Sequence, residues 1–314
     1  MKILIDAMGG DNAPDAIVKG AVRAAKDFNV EVIFLGNVEV EGFRTIPTTD
    51  DISCDEEPVA AVKHKKDSSI VKGLTMLKNG EGDAFVSAGS TGALMAGATL
   101  YVKRIKGIKR MALSVVMPLE GKYIMLIDGG ANVDCKPEYM VQFGIMGATY
   151  LEQVFGIENP RVGLLNIGTE EVKGDERSKD AFKLLNKTSL NFVGNIEARE
   201  ALSGYVDVIV SDGFSGNILL KGMEGAMRFM NKNLKKVFKK GMFSKLAALM
   251  VKGGLKEMKK TVSFGGVGGA PLLGADGTVI KAHGNSDADA IYYAVKQAID
   301  FAKTTVNEKI REMV

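Results

Sequence analysis

The chain has no tryptophan, and only two cysteines, two histidines and seven prolines in 314 residues. Cys54 and Cys135 form no CxxC pair and no dense pattern. That excludes a disulfide-stapled framework and points to a reducing, cytoplasmic compartment. No apolar run approaches the ~18 residues of a membrane-crossing helix. The opening stretch MKILID reaches an acid too soon for a signal peptide and reads as a short strand. Two nucleotide fingerprints are also missing. No GK[ST] closes a glycine-rich loop and no GxGxxG links a strand to a helix, so ATP-binding and dehydrogenase readings lose their support.

Glycine is what the chain has in excess: 37 residues, above the ~7% of ordinary proteins. Apolar residues at 46% and charged residues at 25% are otherwise those of a globular domain. The length suits one large catalytic α/β domain spanning 1–314. The stretch 264–274, FGGVGGAPLLG, holds four glycines in its first six positions, and KAHGNS follows at 281–286. Glycine weakens regular elements by about 0.5–1 kcal/mol, so such density marks positive φ or close approach of the backbone to something else. Similar turns occur at 6–14, 87–93, 128–137, 163–171 and 211–217. We expect them to converge on one anionic site.

Strands are expected at 2–5, 30–35, 44–48, 83–87, 123–127, 161–166 and 206–210. Helices are expected at 16–28, 70–78, 93–101, 137–155, 218–238 and from 288 to about 312. The strands are near-continuous apolar runs, as expected when both faces are covered. Alternation of strand and helix predicts a mainly parallel sheet between helical layers, with ligands beyond the carboxyl ends of its strands.

Net charge is +3, but residues 232–260 hold ten lysines and one acid. That segment carries +9 and leaves the body at about −6. Within the helix at 218–238, Leu220, Met223, Met227, Met230, Leu234 and Val237 recur at helical spacing, with Arg228 and Lys235 away from the stripe. A second amphipathic stretch follows, with Phe243, Leu246 and Met250 on one face, and it resumes at 255–262. Residues 232–262 thus read as a basic amphipathic helical arm: a membrane-surface or protein-docking element, or a helix pair between subunits with solvated lysines. Nucleic acid is disfavoured, because the arm has only Phe238 and Phe243 for stacking.

In the turns, free N–H groups at helix starts favour anions, and Ser90 and Thr91 add hydroxyls; a plain helix cap explains the same residues. Asp6, Asp11, Asp128, Asn132, Asp212 and Asn217 fit caps, metal ligands or substrate contacts. Lys173 is either a solvated lysine or a partner for phosphate or an oxyanion. His283 is either structural or a proton donor. Cys135 has the chemistry of an acyl-accepting nucleophile but no local base to activate it.

Taken together, DAMGGD at 6–11, SAGSTGA at 87–93, GANVDCKP at 130–137, GLLNIG at 163–168, DGFSGN at 212–217, and GAPLLG at 269–274 with KAHG at 281–284 resemble the acyl-ACP:phosphate acyltransferase family. The resemblance runs in order from residue 1 to about 300. Ser90 departs from the asparagine common in that family but keeps a hydrogen-bonding group. The resemblance implies transfer of a long-chain acyl group from acyl carrier protein to inorganic phosphate, without cofactor or metal. It implies a three-layer α/β/α fold like phosphotransacetylase and the isocitrate dehydrogenase group, a homodimer, and peripheral attachment to the inner face of the cell membrane. Candidate catalytic residues are Lys173, Asn217 and His283. Candidate phosphate ligands are Asp6, Gly9, Gly10, Ser90, Thr91, Asn132, Gly268 and Gly269. Arg228, Lys235, Phe243, Leu246 and Met250 are candidates for contact with membrane or carrier protein. An acyl-CoA-dependent phosphotransacetylase and a nucleic-acid binder using the basic arm are the alternatives.

Overall fold

A computed structural model describes residues 1–119, 121–254 and 268–314. The amphipathic continuation expected at 255–262, and residues 264–267 of the glycine stretch, lie outside the described residues.

One sheet holds β1 (Lys2–Asp6), β2 (Glu31–Leu35), β3 (Arg44–Ile46), β4 (Ala84–Ser87), β5 (Ala112–Leu119), β6 (Lys122–Ile127), β7 (Arg161–Asn166), β8 (Asn191–Glu197), β9 (Val208–Val210), β10 (Ala270–Leu273) and β11 (Thr278–Lys281). Their spatial order is β3-β2-β1-β4-β11-β10-β5-β6-β9-β7-β8. Two parallel blocks, β3-β2-β1-β4-β11 and β6-β9-β7-β8, flank the antiparallel β10 and β5. The expected mixed, mainly parallel sheet is present.

Three antiparallel junctions separate the blocks, so the blocks run in opposite directions. The carboxyl ends of β1, β4 and β11 therefore point to one edge of the sheet, and those of β6, β7 and β9 to the other. The glycine turns consequently form two groups at opposite strand ends.

Helices cover both faces. On one lie α1 (Asp15–Phe28), α5 (Pro137–Phe155), α6 (Glu176–Leu185), α9 (Ala288–Ala302) and α10 (Val306–Met313), packed on Ile3, Ile5, Val86, Met125, Val208 and Ile280. The other face splits. Over the first block, α3 (Ser69–Lys78) and α4 (Thr91–Gly97), with α2 (Pro58–His64) beside them, pack on Leu4, Ile33, Phe85 and Val279. Over the second, α7 (Gly213–Lys239) seats Leu220 on Met117, Leu126 and Ile209. Between these helical groups lie β10 and β5, where half-buried Leu113 and Val115 share the face of Met117. The helix expected from 288 to 312 is interrupted after Ala302, with Val306 and Ile310 of α10 buried.

The expected basic arm is helical where described: α7 runs to Lys239 and α8 (Met242–Met250) folds back on it. Only Gly213, Gly216 and Leu220 of α7 are buried, and nothing in α8 is. Phe243 is 86% exposed and Met250 81%. Beyond Leu220 and Met223, no residue of the apolar stripe or of α8 joins a core cluster among the described residues.

Candidate functional site

The first group of turns gathers around Asp6. At the end of buried β1, Asp6 accepts hydrogen bonds from the N–H of Met8 and Gly9, both at 3.1 Å, and from Ser87 Oγ at 2.6 Å. Burial pushes its carboxyl up from the usual range, while those hydroxyl and N–H donors pull it back. The carboxylate thus ties the turn after β1 to the end of β4. Gly9 is required there: a Cβ would sit 2.4 Å from Asp6 Oδ2 and 2.5 Å from Gly89 N. Gly10 has φ +105°, and the next residue, Asp11, donates its N–H to Gly284 O at 2.7 Å. The 7–11 turn, the 88–91 turn and the KAHG loop are therefore in mutual contact.

Ser90 caps α4 through Ala93 N at 3.3 Å, and Thr91 begins the helix. Ser90 is buried and Thr91 half-buried. His283 is exposed, and its Nδ1 accepts from Asn285 N at 3.4 Å, which leaves Nε2 to donate. Gly268 and Gly269 sit to one side. Gly268 backs onto the Tyr293 carbonyl of α9, and Gly269 donates to Gln297 at 2.8 Å.

Asp128, wholly buried at the end of β6, builds the second group with the same device. Its carboxylate accepts from the N–H of Gly130, Ala131 and Asn132, from Asn132 Nδ2, and from Leu113 N in β5. Burial pushes its carboxyl up and these donors oppose that. Asn132 gives its second amide hydrogen to Met111 O at 2.7 Å, so its side chain shapes the turn. The start of α7 packs directly on this turn. Gly213 N donates to Asn132 O at 2.7 Å, and Asp212 caps the helix through Ser215 N and Oγ, each at 2.9 Å. Asn217, exposed, lies beside Gly130.

Lys173 stands on the loop between β7 and α6. Asn166 Nδ2 holds its carbonyl at 3.2 Å, and Asn195 Nδ2 holds the Glu170 carbonyl at 2.9 Å. From α6, Arg177 reaches Asp212 at 3.0 Å, bringing this loop against the α7 start. Lys173 itself is 47% exposed, with Glu170 at 4.0 Å.

The two groups are bridged along the face between α4 and α7. Lys221, one turn beyond Asn217, is near enough to Lys281 at the end of β11 to help push the Lys281 pKa down. Lys281 is only 7% exposed, and sequence reasoning quoted it in the KAHG motif without giving it a role. Its signal was a charged residue closing the apolar run TVIK. Ser87 and Arg177 were also missed as positioning groups, whereas Asp212 takes the helix-cap role that was one of its three readings. A concavity of about 720 Å³ beside α1, lined by Val18, Val22, Arg23 and Val38, lies on the opposite face and gathers none of this chemistry.

Cys135 is buried, and burial pushes its thiol up to about 11, with Asp128 and Asp212 adding to the shift. A thiol so disfavoured as thiolate is a poor acyl acceptor. We expect Cys135→Ala to keep turnover within about threefold, and Cys135 to react with a thiol reagent at pH 8 far more slowly than exposed Cys54. A loss of turnover beyond ~100-fold in a folded variant would restore the acyl-enzyme route.

The first group thus sets the Ser90 and Thr91 hydroxyls, the start of α4, His283 and Lys281 near one another, and the second sets Lys173 and Asn217 by the start of α7. Such a set can hold an anion against a carbonyl and stabilise the oxyanion formed.

A family model described as "Fatty acid synthesis protein" matches residues 1–309. A protein of Clostridium acetobutylicum named "Phosphate acyltransferase" is 47% identical over 323 residues, covering 99% of this chain and 98% of the relative. One of the same name from Bacillus licheniformis is 46% identical, covering 100% of this chain and 98% of the relative. Among solved structures, a phosphotransacetylase from Streptococcus pyogenes superposes with TM-score 0.63 at 18% identity, covering 96% of this chain and 94% of its own. A branched-chain phosphotransacylase from Enterococcus faecalis V583 gives 0.62 at 14%, covering 97% and 100%. These structures share the three-layer fold.

Proposed function

Because the chain belongs to the fatty acid synthesis protein family, whose curated relatives are named phosphate acyltransferase, we propose that it transfers a fatty acyl group from acyl carrier protein to inorganic phosphate. Near-full-length identity of 47% to such a relative carries the reading. The chemistry needs no strong base, since phosphate is already nucleophilic near neutral pH. One phosphate oxygen attacks the thioester carbonyl, a tetrahedral oxyanion forms, and the C–S bond breaks to give acyl-phosphate and a thiolate that takes a proton.

In this reading Ser90 and Thr91 receive phosphate at the start of α4. Lys173 and Asn217 stabilise phosphate or the carbonyl oxygen. His283 Nε2 donates to the oxyanion or the departing thiolate. Half-buried Leu113 and Val115 provide an apolar surface for the acyl chain. Asp6, Gly9, Gly10 and Asn132 act by shaping the turns, and Gly268 and Gly269 by closing the backbone on α9. The same fold serves acyl-CoA in the phosphotransacetylase reading. Relative kcat/KM for one acyl group on the two carriers separates them: a preference for acyl-CoA overturns the carrier-protein assignment.

The arm completes the proposal. Its lysines and exposed apolar stripe suit reversible binding to an anionic bilayer on the cytoplasmic face, at about 1 kcal/mol per lysine near the surface. Arg228 and Lys235 are placed for acidic carrier protein or lipid. The remainder of the α7 stripe suits a second copy of the chain, giving a homodimer. We expect Leu246→Glu to lower sedimentation with phosphatidylglycerol vesicles at least tenfold while acyl transfer in detergent-free buffer stays within twofold. Unchanged sedimentation removes the membrane role of α8.

A further inference from the structure

Among the described residues Lys281 is the one buried lysine, at 7% exposed. It closes β11, and all four residues of that strand are buried. Its Nζ meets the Ala88 carbonyl at 3.3 Å and also the Ala282 carbonyl. Among the described residues it forms no ion pair with a carboxylate. A buried ammonium without a counter-ion is unfavourable, and an apolar side chain of similar length would fill the position without that penalty.

Four titratable or charged groups act on it from elsewhere in the fold. Asp6 comes from β1, Asp11 from the following turn, Cys54 from the loop before α2, and Lys221 from α7. His283 follows two residues later. Burial pushes the lysine down to about 8, Cys54, Asp6 and Asp11 oppose this, and Lys221 adds to it. Those carboxylates stop short of an ion pair with the lysine among the described residues, and it borders the turns that carry Ser90 and Thr91.

We propose that the Lys281 ammonium is the counter-charge for the attacking phosphate, and that phosphate enters the site together with a proton taken up by Lys281. This rests on the proposed reaction and deepens it. The coupling has a defined sign. Below pH 8 the lysine is already charged and binding takes up no proton there. Above pH 8 it is neutral when free, so affinity for the phosphate dianion falls about tenfold per pH unit.

The test is calorimetric titration of the full chain with inorganic phosphate at pH 9, where phosphate is the dianion, in two buffers of different ionisation enthalpy. A Cys54→Ser background removes the thiol as an alternative proton acceptor. We expect uptake of about 0.9 proton per phosphate, from a group half-titrated near pH 8. Lys281→Arg should retain binding with no uptake, and Lys281→Met should bind phosphate at least ~30-fold more weakly with an unchanged melting temperature. Should the methionine variant not fold, the arginine variant decides alone. Uptake near zero in the parent, uptake persisting in Lys281→Arg, or full affinity in Lys281→Met would each overturn the proposal. Because no thioester is present, the outcome is independent of acyl transfer: a parent that binds phosphate with uptake yet never forms acyl-phosphate overturns the proposed function alone.

Discussion

Lys173→Ala and Asn217→Ala are each expected to lower kcat/KM about 100- to 1,000-fold, the usual loss when one donor to a developing oxyanion is removed. Neither change should disturb the fold. Lys173 is 47% exposed and its ion pair among the described residues, to Glu170, is long at 4.0 Å, so its stability contribution is small. Asn217 is exposed on the first turns of α7. Melting temperatures should therefore stay close to the parent, and the loss should be read as chemistry. The kinetic split then assigns roles. A raised KM for phosphate places the residue on the nucleophile, and a lowered kcat at saturating phosphate places it on the carbonyl oxygen. Full turnover in both variants would remove the second group of turns from the site.

Gly216→Val is expected to have the opposite signature, a failure of folding. A Cβ at residue 216 would lie 2.0 Å from the Asp128 carbonyl oxygen and 2.5 Å from Ser211 Oγ. The carbonyl is backbone, fixed by an aspartate whose own carboxylate is held by the N–H groups of Leu113, Gly130, Ala131 and Asn132. Neither partner can yield without breaking buried hydrogen bonds, each worth about 1–3 kcal/mol when left unmade. Destabilisation of at least ~4 kcal/mol follows, measured by urea denaturation or as loss of soluble protein. Gly222 on the same helix is the control. None of the described residues lies within 4 Å of its Cβ position, so Gly222→Ala should stabilise by about 0.5–1 kcal/mol through helix propensity. Equal effects at the two positions would mean that α7 does not dock on the 128–132 turn.

The difference between these two glycines also shows how far the sequence carries. Residues 2–6, 31–35, 84–87 and 161–166 were legible because short apolar runs bounded by turn residues read as strands covered on both faces. The helices at 15–28 and 137–155 were legible from their periodicity. β5, β8, β10 and β11 were not. β5 and β8 mix half-buried and buried positions, as in ALSVVMPL and NFVGNIE. β10 and β11 hide inside glycine-rich motifs that look like loops. Missing β10 and β5 hid the antiparallel junction, and with it the fact that the two groups of turns face opposite edges.

The same limit applies to the site. Ser90, His283, Lys173 and Asn217 stood out because they sit in glycine contexts at strand ends. Their placement relative to one another depends on α7 crossing the second block, which local sequence does not encode. Lys281 was hidden for a different reason: a lysine after TVI reads as the solvated end of a strand, and its burial depends on the 88–91 turn closing over it. Asn132 stood out for its amide, yet that amide is engaged by Asp128 and Met111.

The most direct measurement is thiol release from long-chain acyl carrier protein with and without inorganic phosphate, with detection of the acyl product. The account predicts release that depends on phosphate and yields one acyl-phosphate per thiol. Release at the same rate without phosphate, giving free fatty acid, would contradict it and make the protein a thioesterase.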